Sequence, residues 1–211
     1  MEEERKNAGE RTAEAAAVMT PAAQKGTALL FVLFFFFFMA YTPYEHATAR
    51  NGMPFLFMIY HFLVNQTLGI VHEGGHGVCY VLPCPEFFMV LNGTLFQWLF
   101  PGLIAWYYRK RGNHWGWLIG LFFLGFSMHY TAWYMSTAHQ GAMVPAARSF
   151  LGVDGYHDFH YIFSRLGVLA YDGAISKLTH AAAYLLMIYS VAAMTTRAFF
   201  GTAKKRRYRR R

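Results

Sequence analysis

The sequence predicts an all-α, multi-spanning integral membrane protein: a helical bundle of about five transmembrane helices plus a re-entrant or half-helix. Three observations predict it. Of 211 residues, 55% are hydrophobic and 14% charged, where a soluble domain carries about 25% charged residues. The apolar residues collect in five long blocks rather than scattering along the chain. Alternating strands of about ten residues, the mark of a membrane β-barrel, are not visible. Backbone polar groups in lipid must be satisfied within the segment, so blocks rich in Leu, Phe and Ala are expected as helices.

Residues 1–25 are polar and Ala-rich, without an apolar stripe, and are expected as a disordered tail. They do not read as a secretory signal, because no small-residue cleavage site follows the next apolar block. The membrane-embedded helical domain is placed at 26–202. Its first apolar segment runs from Thr27 to Thr42 and contains Phe34 to Phe38. The second runs from Met53 to Leu82, longer than the roughly 20 residues a bilayer needs, so part of it tilts or projects. The third covers Phe87 to Tyr108, the fourth Trp115 to Thr137 and the fifth Leu178 to Phe200. Between the last two lies a mixed stretch with His139, Pro145, Asp154, His157, Asp158, His160 and the short apolar piece Tyr161 to Tyr171. That piece is expected as the half-helix, which survives at membrane depth only when buried in protein or facing a wet cavity.

The net charge is +8, and much of it sits in Lys204 to Arg211. A basic run beside an apolar segment is a topology signal before it is a nucleic-acid site, so no nucleic-acid partner is expected. Arg109, Lys110 and Arg111 follow the third segment. With five spans, that loop and the basic tail at 203–211 lie on one side, the cytoplasmic one. The expected partners are membrane lipid and a membrane-protein or peptide substrate. Cys79 and Cys84 make no disulfide framework and lack zinc-knuckle spacing; the sequence leaves them paired or free.

The second segment contains His72-Glu73-Gly74-Gly75-His76. Residues four apart on a helix share a face, so both imidazoles can reach one ion. Glu73 stands beside them, suited to take a proton from water. Two His and a Glu within an apolar span are costly and point to function. The bland alternative is hydrogen bonding between helices.

This motif resembles that of the site-2 protease class of intramembrane zinc metallopeptidases, often His-Glu-x-Gly-His, with Gly75 in the Gly position. The class has a later Gly-x-x-x-Asn segment; this chain has Gly93-Thr94-Leu95-Phe96-Gln97, with Gln in place of Asn. The parallels cover His72 to Asp172. The resemblance implies one Zn2+ per chain held by His72, His76 and an Asp on a later helix, commonly followed by Gly, and Glu73 as general base. It implies hydrolysis of peptide bonds in or beside the membrane.

For the third ligand, Asp154-Gly155 and Asp172-Gly173 both have the Asp-Gly form. Asp158 opens an apolar stretch, which would set its carboxylate at a helix start, and it is the first candidate. Asp154 and His157 are alternates and Asp172 comes last; a polar loop satisfying itself is the competing reading. Asn92, Gln97 and His160 are candidates for substrate contact or outer support, against a plain interhelical role. His129 and His139 are read first as structural histidines. Two further function classes fit in part. A membrane di-iron oxidase would use His72 with His76 and His157 with His160, although no adjacent His pair occurs. A metal-binding transporter or assembly factor would use the His/Asp cluster without hydrolysis, although no inverted repeat is visible.

Overall fold

The computed structural model describes residues 19–40, 55–139 and 157–201. Among them the structure is all-helical and contains no strand. Six α-helices follow in order: α1 (Pro21–Ala40), α2 (Phe55–Val81), α3 (Glu86–Lys110), α4 (His114–Ser136), α5 (Asp158–Arg165) and α6 (Asp172–Phe200). A 3-10 turn, Leu169–Tyr171, leads into α6. Two stretches, Glu86–Lys110 and Leu169–Phe200, are long and apolar enough to cross a membrane.

Boundaries depart from the sequence expectation where local chemistry extends a helix past its apolar block. α1 starts at Pro21, inside the stretch expected as disordered tail. Thr20 Oγ1 accepts the amide of Ala23 at 3.2 Å, and Pro at the first helical position lacks the amide that would lack a partner there. α6 starts at Asp172 rather than Leu178, because its polar first turn carries a carboxylate suited to a helix N-terminus. The apolar piece expected over 161–171 is divided: α5 ends at Arg165, and Gly167, at φ 69°, turns the chain toward the 3-10 turn. The tail at 203–211 lies outside the described residues.

The packing follows the chain: α2 lies on α3, α3 on α4, α4 along α6, and α6 on α1, while α5 sits against α3 and α4. Glycines let three of these seams close. A Cβ built on Gly93 of α3 would meet the two motif histidines of α2. One on Gly120 of α4 would lie 2.7 Å from the Ala105 amide of α3, and one on Gly125 would lie 2.8 Å from the Ala183 carbonyl of α6. Small residues at these seams let the helix backbones approach closely. One core, Val90, Tyr134, Met135, Phe159, Ile162 and Phe163, fastens α5 to α3 and α4 beside the motif. A second, Phe35, Phe122, Phe126 and Met187, joins α1, α4 and α6.

Polar side chains are buried beside these apolar cores, while many large apolar ones are exposed. Buried positions include His72, His76, Gln97, Ser127, His129, Thr131, Asp158, Ser176 and Ser190. Leu29, Leu30, Leu33 and Phe36 of α1, Leu99, Phe100 and Leu103 of α3, and Leu178 and Leu185 of α6 are exposed.

Candidate metal centre

α2 presents His72 and His76 from successive turns, with their Nε2 atoms 3.2 Å apart. α5 brings Asp158 to them across the bundle. Its Oδ2 lies 2.8 Å from His72 Nε2 and 3.2 Å from His76 Nε2. Ligands about 2.0–2.1 Å from a tetrahedral ion stand about 3.3 Å from one another. The three atoms stand at a spacing that would suit ligands of one shared ion. All three side chains are buried. A carboxylate and two imidazole nitrogens converging out of water need a positive charge between them, as a proton or an ion. Glu73 is half-buried beside them. His72, Glu73 and His76 each offer a ligand atom, all within 4.8 Å of one another, and the group can hold a metal ion.

Orientation is set by neighbours one step removed. His76 Nδ1 donates to the Met89 carbonyl at 2.8 Å, which leaves Nε2 as the lone-pair nitrogen facing the site. Gly93 makes room: a Cβ there would lie 2.6 Å from His76 Nε2 and 2.9 Å from His72 Cε1. Gly75, on the same helix as the motif, abuts Gly93 and Phe96 of α3.

Asp158 is the first residue of α5, capped by His157. The Nδ1 of His157 accepts the His160 amide at 3.4 Å. Its Nε2–H donates to Thr137 Oγ1 at 2.9 Å, and that hydroxyl donates to the Tyr134 carbonyl. Both ring nitrogens of His157 are thus used.

Of the sequence candidates, the structure brings His72, Glu73, His76 and Asp158 together. Asp154 lies outside the described residues. His157 faces Thr137 rather than the motif, and Asp172 pairs with His139 Nδ1 and the Gly173 amide. The other three are engaged elsewhere. His160 Nδ1 donates to the Ala138 carbonyl at 2.9 Å. Asn92 donates to the Gly75 carbonyl and so braces the motif helix. Gln97 is buried, reaching the Leu68 carbonyl at 3.4 Å and accepting from Thr131 Oγ1 at 3.4 Å. That is interhelical bonding, the plainer of the two roles open to it.

Tyr134 is a residue the sequence did not single out. Its hydroxyl accepts the Asp158 amide at 3.2 Å, one of the amides at a helix start with no partner inside the helix. Its ring stacks on His157, with centroids 4.1 Å apart, and meets His72 edge-on at 5.9 Å. No pattern marks it among 14 tyrosines; a helical register seven residues after Ser127 would have placed it only on a buried face. Cys79 and Cys84, left open by the sequence, form a disulfide across the turn between α2 and α3.

Comparison with protein-family models, with curated proteins and with solved structures finds no match to this chain.

Proposed function

We propose that the protein is an intramembrane zinc-dependent peptidase that hydrolyses peptide bonds in or near the membrane. One observation carries the reading: His72, His76 and Asp158, from helices far apart in sequence, converge within 2.8–3.2 Å with Glu73 alongside. The nitrogen-and-oxygen donor set and the spacing suit zinc, with the three residues as ligands. When bound, zinc supplies Lewis-acid chemistry that polarises a carbonyl and makes water acidic near neutral pH. Glu73, next to His72 on α2, takes a proton from the attacking water and delivers it to the departing amine. Asp158 and the two histidines hold their positions through Tyr134, Met89 and Gly93.

The membrane setting is supported by the apolar exterior. The apolar windows of the two long helices are only 28% and 22% buried, whereas the core helix of a soluble protein would be mostly buried. On this reading α1, α2 and α4 also cross the bilayer, giving about five spans, with α5 tucked inside as the half-helix. A di-iron site is disfavoured, because His157 and His160 are engaged with Thr137 and Ala138 instead of a second metal group.

The test is metal content and turnover of the detergent-purified chain. About one zinc per chain is expected, lost in a His72→Ala/His76→Ala double variant. Glu73→Gln is expected to keep the metal and lose cleavage of membrane-spanning peptides, read by mass spectrometry. Full cleavage by Glu73→Gln sinks its role as base. A wild-type chain that holds no metal sinks the whole reading.

A further inference from the structure

We propose that the turn joining α2 to α3 faces the oxidising, non-cytoplasmic side of the membrane, and that the metal site is served from that side. This sidedness rests on the membrane-spanning reading above, and two unrelated features at opposite ends of α3 point to it.

At the start of α3, the turn is closed by the Cys79–Cys84 disulfide. Disulfides persist in oxidising compartments and are rare where glutathione and thioredoxin keep thiols reduced. Closing this bond takes one proton from each thiol and two electrons in all. The electrons pass to the disulfide of a thiol–disulfide oxidant in that compartment, which leaves as a dithiol.

At the far end of α3 stand Arg109, Lys110 and Arg111, each over an aromatic ring: Trp117 at 4.6 Å, Trp106 at 5.8 Å and Tyr107 at 4.5 Å. Basic residues among Trp and Tyr mark the cytoplasmic interface of a span. The 25 residues of α3 reach about 37 Å, more than the roughly 30 Å hydrocarbon core, so its ends emerge on opposite faces. Arg197, in the last turn of α6, lies toward the same end of the bundle.

The metal-binding residues lie near the disulfide end. His76 stands three residues before Cys79, about 4.5 Å along the helix axis. Gly93, packed on His76, is seven residues past Glu86 and seventeen before Lys110. That puts it about 10 Å from one end of α3 and about 25 Å from the other. The substrate bond is therefore in a polypeptide segment at the non-cytoplasmic end of a span or just beyond it.

Two measurements on the full chain test this. Thiols are trapped with N-ethylmaleimide in intact cells and the peptides mapped without reduction; a Cys79–Cys84 linked peptide is expected, and free thiols at both positions overturn the proposal. In a Cys79→Ser/Cys84→Ser background, Leu82→Cys and Arg111→Cys, both at exposed positions, are then probed with a membrane-impermeant maleimide. Leu82→Cys is expected to label in intact cells and Arg111→Cys only after permeabilisation. The reverse pattern overturns the sidedness while leaving α3 as a span. Labelling of both from one face removes α3 as a span, and the membrane reading with it.

Discussion

At the scale of single residues, the candidate centre depends on groups outside the proposed ligand set. Tyr134 accepts the amide of Asp158 and separates His157 from His72. Outer partners of this kind typically contribute 10–100-fold in metal affinity. Tyr134→Phe is expected to weaken zinc binding by about that factor in a chelator competition, with stoichiometry retained. Tyr184→Phe removes a comparable phenol, 2.9 Å from His129 Nε2, and is expected to leave affinity unchanged. Equal losses in both variants would show a general packing effect and not a positioning role. His72, Glu73 and His76 were legible in the sequence because a single helix fixes their spacing. Asp158 was legible only as one of four candidates. Its partners are 82 and 86 residues away, and no periodic pattern reaches across such a gap. Tyr134 was invisible because its contacts, a backbone amide and two imidazole rings, leave no periodic mark in the sequence.

At the scale of elements, the seam between α2 and α3 sets the geometry of the centre. Gly93 meets both imidazoles and Gly75 meets Gly93 itself, so the helices approach with only backbone between them. Gly93→Ala forces a methyl group into His76 and is expected to destabilise the fold by about 1–3 kcal/mol, the usual penalty of overpacking. Metal affinity is expected to fall with it. Gly74→Ala, on α2, meets nothing within 4 Å and is expected to leave both unchanged. A thermal melt in detergent with and without added zinc separates the two effects. A Gly93→Ala chain as stable and as metal-competent as wild type would contradict the packing account. The helices themselves were largely legible, since long blocks rich in Leu, Phe and Ala without strand alternation read as helix. Their ends were less so. A Thr–Pro cap started α1 earlier, a polar turn lengthened α6, and Gly167 shortened the apolar piece after α5. The disulfide across the turn was undecidable from spacing, because it needs α2 to end where it does.

At the scale of the whole molecule, an exterior rich in exposed Leu and Phe predicts behaviour in bulk. The chain is expected to stay with membranes through alkaline carbonate extraction and to leave only with detergent. Release into the aqueous fraction would contradict the spanning reading. The same architecture also orders events in time. A ribosome makes both motif histidines and Glu73 while Asp158 is still more than eighty residues from being synthesised. A half-inserted chain thus carries a base and two ligands but no closed cage. On the proposed reading, hydrolysis begins only after the fourth span is in place and α5 has docked, so neighbouring nascent proteins threading through the same insertion machinery meet an enzyme that is not yet armed.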